Sequence, residues 1–206
     1  MARMGTSNLT LAGRLWPTSS VNWTRAILLA ILGSAIVAIA AQVSVPMLPV
    51  PMTLQTLAAL AVGAAYGARL GAITLALYAL EGAAGFPVFA NFQAGLFLPT
   101  GEILASGGYI IGFILAAGLV GHLVEKGWGA NVIKLCGAML LGAAIIYVPG
   151  LIWLVGWLIV MKGMDTTSAI VVAFSTGALP FILGDIIKAL LAALALPAAF
   201  SLLGRR

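Results

Sequence analysis

The chain has 206 residues, of which 63% are hydrophobic and only 7% are charged. An average soluble domain carries about 25% charged residues, so most of this surface cannot face water. The formal net charge is +5, but the basic residues stand singly between apolar runs, which argues against a nucleic-acid-binding face. One cysteine, one histidine and five scattered carboxylates show no metal-ligand spacing, so we expect no metal and no other cofactor.

The apolar segments predict an all-α membrane protein, a polytopic helical bundle with about six transmembrane helices. One helical span needs about 20 residues to cross roughly 30 Å of hydrocarbon. The last two predicted spans are long enough to tilt or to break. Residues 1–25 are predicted to form a cytosolic arm, and residues 26–206 a single transmembrane substrate-binding domain. The predicted spans are 26–45, 54–66, 72–84, 103–124, 132–160 and 168–203.

Two of the connections between these spans are unusual. Three prolines between residues 46 and 51 prevent a helix there, because proline lacks an N–H donor and clashes with the preceding turn. Residues 85–101 mix two prolines with large apolar side chains, which predicts a re-entrant or interfacial loop. Irregular backbone at membrane depth is tolerated where it is buried in protein or lines a polar cavity. The proline run therefore points to a binding site, with an ordinary exposed loop as the alternative.

Loop charges predict the orientation, because Lys and Arg gather in short cytosolic loops. With the N-terminus inside, six spans leave only Lys162 in the outer segments, and both termini are cytosolic. A competing interpretation treats the first span as a signal peptide with a cleavage site near residues 38–40. Its polar arm is long for a signal sequence, and removal of the span would leave an odd number of helices. The basic residues on the predicted inner side are Arg3, Arg14, Arg25, Arg69, Lys126, Lys134, Arg205 and Arg206.

Small residues recur every four positions on one face of the first span, at Ala26, Ala30, Ser34 and Ala38. Such stripes allow two helix backbones to approach closely in lipid. Glycines at 63, 67 and 71 repeat the pattern. Either stripe is explained by packing inside the bundle, and for the first span docking to a separate subunit is the alternative. No internal repeat is visible, so an inverted-repeat carrier is not supported.

Asp185 and Lys188 lie in the middle of the last apolar segment. Each would cost about 2.5 to 3.5 kcal/mol at the centre of a membrane if it were unpaired, so both are expected to face inward. Their i, i+3 spacing allows them to pair with each other without any ligand. The functional interpretation is a polar pocket in which Lys188 binds an anionic group and Asp185 accepts hydrogen bonds from ligand N–H groups. Further polar candidates are Thr53, Gln55, Asn91, Tyr109 and Tyr147.

Four ordered motifs extend these observations. They are VPMTLQT at 50–56, GAAGFPVFA at 82–90, GGYIIGF at 107–113 and PFILGDIIK at 180–188. In these motifs the chain resembles the BioY family, the substrate-binding subunits of energy-coupling factor (ECF) transporters for biotin. The resemblance implies a six-helix bundle with an externally accessible biotin pocket in which Asp185 and Lys188 participate. It also places Asn91 and Tyr109 in segments that the family associates with substrate.

The resemblance further implies a bacterial inner-membrane protein with membrane partners: a transmembrane coupling protein, docked through the alanine-rich stripe, and two cytosolic ATPases. The chain itself has no GxxxxGK[ST] phosphate-binding loop, so energy must come from partners or from a gradient. The alternative function is a self-sufficient secondary carrier or facilitator for biotin or a related small carboxylic acid. An enzyme is not expected, because no carboxylate, serine or histidine has a catalytic companion. A purely structural membrane scaffold is a further alternative, but it would not need polar side chains inside the hydrocarbon layer.

Overall fold

The computed structural model describes residue 10 and residues 23–96 and 101–203, with side chains up to Leu194. Within these residues the chain forms seven α-helices and one very short antiparallel hairpin. Single turns of 3-10 helix occur at Ala90–Phe92 and Trp128–Ala130. The elements are α1 Trp23–Gln42, β1 Ser44–Val45, β2 Met52–Thr53, α2 Gln55–Tyr66, α3 Ala68–Ala83, α4 Gly107–Glu125, α5 Val132–Lys162, α6 Thr166–Gly177 and α7 Leu179–Leu203.

The prediction of an all-α membrane bundle is confirmed. Four helical segments are long and apolar enough to cross a bilayer: α1, α4, α5, and α6 together with the first part of α7. Helix α2 is apolar but shorter. Because α6 and α7 continue one another across a break, the chain makes about six helical passes, as predicted. These helices place the hairpin and the 84–106 segment, described at residues 84–96 and 101–106, at one end of the bundle, which we call the loop end.

The last predicted span does break, at Ala178. This residue has φ −127° and ψ −60°, outside the helical region, and α7 starts at the next residue. Pro180 follows directly. Its ring lacks an N–H and crowds the carbonyl of the preceding turn, so a continuous helix through this point is unfavourable.

Two predicted boundaries are wrong. A loop was expected over residues 67–71, but Gly67 alone separates α2 from α3, and Arg69 lies in the first turn of α3. Gly67 makes this sharp turn possible with φ +87°, a conformation that disfavours side chains. The fourth span was expected to start at residue 103 but starts at Gly107. The cause lies in α5, where the indoles of Trp153 and Trp157 hold the preceding segment as loop.

Some predictions fall outside the described residues. One concerns the N-terminal arm, of which only Thr10 and residues 23–25 are described. The other concerns the basic residues Arg3, Arg14, Arg205 and Arg206. Of the described basic residues, Arg69, Lys126 and Lys134 lie at the ends of helices away from the loop end, whereas Lys162 lies at the loop end. The described part of the chain therefore has the predicted charge asymmetry.

The glycine repeat packs inside the bundle. A Cβ atom at Gly63 would lie 2.6 Å from the carbonyl oxygen of Ala117, and one at Gly71 would lie 3.0 Å from the Cα of Gly63. Helices α2, α3 and α4 therefore approach one another almost backbone to backbone. In lipid, where apolar side chains gain little by leaving the solvent, such close contact is a main source of helix association.

The small-residue stripe of α1 also faces the bundle. Ala30 and Ser34 are buried, at 5% and 1% exposure, and the Ser34 hydroxyl donates a hydrogen bond to the carboxylate of Glu81 in α3. Ala26 and Ala38 are half-buried. In this structure α3 contacts the middle of the stripe at Ser34.

The outward faces of the helices are strongly apolar. Side chains such as Leu28 on α1, Ile133 and Ile152 on α5, and Leu183 on α7 are more than half exposed. A water-soluble protein rarely exposes contiguous apolar surface of this extent. The exposed apolar belt is the surface expected to contact lipid.

We predict that Gly63→Val destabilises the bundle, because the added side chain would collide with the backbone of α4. Overpacking of this kind typically costs about 1 to 3 kcal/mol. The measurement is the thermal unfolding midpoint of the purified protein in detergent. Gly156→Ala is the matched control, because a Cβ atom at Gly156 would have no neighbouring atom within 4 Å. An equal loss in both variants would contradict the packing account.

Candidate substrate-binding site

The charged pair of α7 is buried, and both members have hydrogen-bond partners. Asp185 and Lys188 are 7% and 8% exposed, and Lys188 Nζ lies 3.0 Å from Asp185 Oδ1. The ammonium also donates to the carbonyl oxygen of Thr53 at 2.8 Å. Tyr147 in α5 donates its hydroxyl hydrogen to Asp185 Oδ2 at 2.5 Å. The pair is therefore neutral as a unit and joins α7, α5 and β2.

A second set of hydrogen bonds continues from the hairpin into the bundle. Thr53 donates through its hydroxyl to Gln55 Oε1 at 3.0 Å, and the backbone N–H of Gln55 donates back to that hydroxyl at 3.1 Å. Gln55 Nε2 then donates to the hydroxyl of Tyr78 at 2.6 Å. Tyr78 donates in turn to the carbonyl oxygen of Val88 at 3.0 Å. This network connects the hairpin to the 84–106 loop.

Tyr109 is positioned by a close contact between α4 and α5. Gly108 leaves no room for a Cβ beside the carbonyl of Pro149, and a Cβ at Gly150 would lie 2.6 Å from the Tyr109 ring. The rings of Tyr109 and Tyr147 pack edge to face, with centroids 6.5 Å apart. The Tyr109 hydroxyl donates to the carbonyl oxygen of Gly177 at 2.7 Å. Tyr109 therefore satisfies a carbonyl that the break between α6 and α7 exposes.

These residues surround a partly enclosed space, which we call the inner cavity. Its volume is about 40 Å³, enough for roughly one to three water molecules. Its polar walls are the charged pair and four further side chains, Thr53, Gln55, Thr56 and Ser106, and the other walls are aliphatic and aromatic. The lining residues are Val50, Pro51, Thr53, Gln55, Thr56, Phe89, Ala90, Ser106, Tyr109, Ile110, Phe113, Ile146, Tyr147, Phe181, Asp185 and Lys188.

A larger open space lies at the loop end, which we call the outer groove. Its volume is about 540 Å³, and it shares two wall residues, Pro51 and Ser106, with the inner cavity. Polar side chains are concentrated on its loop walls. The lining residues are Met47, Leu48, Pro49, Pro51, Asn91, Gln93, Glu102, Ile103, Leu104, Ala105, Ser106, Trp157, Leu158, Lys162, Val172 and Thr176.

Side chains from the helices hold the loop walls in place. Gln42, the last residue of α1, donates to the carbonyl of Phe89 at 3.0 Å and accepts the N–H of Phe92 at 3.0 Å. On the other side, Trp153 and Trp157 donate their indole N–H groups to backbone carbonyls of residues 104 and 103, at 2.8 and 2.6 Å. Nonhelical backbone at membrane depth thus finds partners within the protein, as it must.

The structure brings most of the predicted site residues together. Six of them line the inner cavity: Thr53, Gln55, Tyr109, Tyr147, Asp185 and Lys188. Asn91 does not line it. Its side chain lines the outer groove and accepts a hydrogen bond from Ser44 at 3.3 Å, because a φ of +56° at this position turns the loop.

Sequence reasoning missed the apolar walls and Tyr78. Phe89, Phe113 and Phe181 line the cavity; each lies in one of the four motifs, but its apolar character alone does not separate it from lipid-facing or packing residues. Tyr78 has 0% exposure and looked like any tyrosine of a membrane span. A tyrosine in the interior of a short predicted helix was the one available signal, since its hydroxyl needs a partner there.

The four sequence motifs converge on the inner cavity. Each of them, 50–56, 82–90, 107–113 and 180–188, supplies at least two of its lining residues. The motifs are far apart in the chain and share no helix. Their only common location among the described residues is this cavity and its immediate walls.

Comparison with known proteins gives a consistent picture. A model of the BioY family matches residues 8–205. The biotin transporter BioY of Thermotoga maritima is 36% identical over 161 residues, which cover 78% of this chain and 87% of the relative. The biotin transporter BioY of Rhizobium etli is 34% identical, over 74% of this chain and 79% of the relative.

A solved structure has the same fold. It is the S-component for biotin from an ECF-type ABC transporter, with a TM-score of 0.69. The alignment covers 89% of this chain and 94% of that one, at 22% sequence identity. The match extends over nearly the whole helical bundle.

Because the charged pair is buried, we predict that removing one charge lowers the stability of the protein more than removing both. Lys188→Met leaves Asp185 buried without its cation, and loss of one partner of a buried pair typically costs about 3 to 5 kcal/mol. The double variant Asp185→Asn with Lys188→Met removes both charges and should recover part of that loss. We expect a lower unfolding midpoint for the single variant, measured without ligand in detergent. A double variant that is less stable than the single one would contradict this account.

Proposed function

Because the chain belongs to the BioY family, we propose that it binds biotin and takes it up across the membrane as the substrate-specific subunit, or S component, of an ECF-type transporter. The observation that carries the proposal is the convergence of all four family-like motifs on one cavity. The relatives described above are biotin transporters, and the shared fold adds support.

The composition of the inner cavity suits this substrate. Biotin has an apolar ring and chain, a ureido group with N–H donors and a carbonyl, and a carboxylate. The cavity combines aromatic and aliphatic walls with a buried carboxylate, a buried ammonium and a tyrosine hydroxyl, at Asp185, Lys188 and Tyr147. Few polar groups among apolar walls are typical of small-molecule sites. With a volume of about 40 Å³, the walls must move apart when the vitamin enters.

The loop end is proposed to face the outside of the cell. Short loops with Lys and Arg stay in the cytosol, and among the described residues Arg69, Lys126 and Lys134 lie away from the loop end. This orientation opens the outer groove to the medium and puts both termini in the cytosol. The proposed location is the bacterial inner (cell) membrane.

The proposed partners are a transmembrane coupling protein and two cytosolic ATPases. The sequence has no phosphate-binding loop of its own, so ATP must be hydrolysed elsewhere. The stripe at Ala26, Ala30, Ser34 and Ala38 is the proposed docking site for the coupling protein. Ala30 and Ser34 are buried in the isolated chain, and Ser34 is hydrogen-bonded to α3, so docking through the whole stripe requires both residues to become exposed.

The binding test is a titration of radiolabelled biotin into the purified protein in detergent. We expect tight binding by the wild type and a loss of binding in Asp185→Asn and in Lys188→Ala, because each removes a polar wall of the cavity. Lys126→Gln is the matched control, since it also changes one charge but lies at the opposite end of the bundle.

Folded variants must be confirmed by their unfolding midpoints, and a second vitamin serves as a ligand control. Absence of biotin binding by the folded wild type would refute the proposed substrate. Binding that is equally strong in all variants would refute the assignment of the cavity.

The energy source distinguishes the S component from a self-sufficient carrier. In cells that lack their own biotin uptake, we expect fast uptake only when the coupling protein and both ATPases are present. Uptake should then follow the ATP level. Uptake by this chain alone that stops when an uncoupler is added would instead favour a secondary carrier driven by an ion gradient.

A further inference from the structure

The charge balance of the inner cavity limits which end of a ligand enters it. Among the described lining residues the cavity has one anion, Asp185, and one cation, Lys188, and the two already neutralise each other at 3.0 Å. A ligand carboxylate beside them would give the enclosed site a net negative charge. The cost of such an unbalanced charge in a low-dielectric interior is several kcal/mol.

A neutral polar group fits the same pair much better. The Lys188 ammonium has three N–H donors, and the structure uses two of them, on Asp185 and on the carbonyl of Thr53. Each Asp185 oxygen has one hydrogen-bond donor, and a carboxylate has about four acceptor positions. The pair therefore offers one donor beside free acceptor positions. A group with adjacent N–H and C=O matches this arrangement, whereas a carboxylate, which only accepts, does not.

The outer groove supplies the cation that the inner cavity lacks. Lys162 is the only basic residue among its described lining residues. Its side chain is 47% exposed, and its ion pair with Glu102 is long, at 3.4 Å. The ammonium also lies 5.0 Å above the ring of Trp157. An exposed pair of this kind contributes little, so an incoming anion can replace Glu102 as the partner of Lys162.

The two spaces are neighbours. Pro51 and Ser106 line both of them, so the two spaces adjoin at these residues, and an elongated ligand lying across this boundary would have one end in each space. Hydrogen-bonding side chains accompany Lys162 in the groove, at Asn91, Gln93 and Thr176.

We propose that the outer groove is a binding site for the carboxylate of the transported ligand, with Lys162 as its cation, while the neutral hydrogen-bonding end lies at Asp185 and Lys188. The inference rests on the proposed function and adds the direction in which the ligand lies. It assigns the anionic group to Lys162 instead of Lys188, and it gives Asn91 a place on the ligand path outside the inner cavity.

The test compares two ligands and two matched variants. Biotin and biotinamide differ in the carboxylate, which is a neutral amide in the second. Both are titrated into wild type, Lys162→Gln and Glu102→Gln in detergent, at low and at high salt. We expect Lys162→Gln to weaken biotin binding by about twofold to fivefold, the range of an exposed ion pair. Glu102→Gln should strengthen it, because a repelling carboxylate is removed.

Biotinamide binding should be the same in all three proteins, and high salt should reduce the differences seen with biotin. Equal weakening of both ligands by Lys162→Gln would mean that the residue only supports the loop, and no change with either ligand would mean that the carboxylate lies elsewhere. Either result would overturn the inference while the wild type still binds biotin. If the folded wild type binds neither ligand, the proposed function fails, and the inference fails with it.

Discussion

The buried ion pair of α7 is the constraint on which the loop end of this bundle depends. Asp185 and Lys188 lie in one of the most apolar helices of the chain, and a charge there is tolerated only with partners. Each partner comes from a different element: the Tyr147 hydroxyl from α5 and the Thr53 carbonyl from β2. These hydrogen bonds fix the hairpin and α5 relative to α7, and all three elements contribute walls to the inner cavity.

The same requirement explains how nonhelical chain is held at the loop end. The hairpin and the 84–106 segment cannot satisfy their backbone groups as a helix does. Long polar and aromatic side chains from the helices do so instead, with Gln42 and Tyr78 on one side and Trp153 and Trp157 on the other. At the opposite end Gly67 alone connects α2 to α3.

The two spaces at the loop end have different chemistry. The inner cavity is partly enclosed, contains an anion and a cation that neutralise each other, and suits a neutral polar group. The outer groove is open and has an exposed lysine. A ligand with a neutral hydrogen-bonding head and an anionic tail complements both together, and biotin is such a ligand. The S component of a biotin transporter is therefore a function that the family, the fold and the charge distribution support jointly.

Much of this architecture was predictable from the sequence. The apolar runs predicted a membrane bundle with about six passes, because a chain that crosses lipid alone must be helical. The proline run and the 85–101 segment predicted irregular chain, because proline prevents a regular helix. Six of the seven proposed site residues line the inner cavity, and the sequence singled them out because polar side chains are rare and costly in such a chain.

Other features depended on the tertiary structure. An apolar side chain such as Phe89 or Phe181 can face lipid, another helix or a ligand equally well. Only the packing of the helices identified these residues as cavity walls. The position of Asn91 outside the cavity followed from a loop turn with positive φ. The small-residue stripe of α1 was compatible with two partners, and the fold placed α3 against it. Sequence thus determined which residues had to avoid lipid, because that depends on each side chain alone. Only the three-dimensional arrangement decided which of them meet, because that depends on contacts between distant segments.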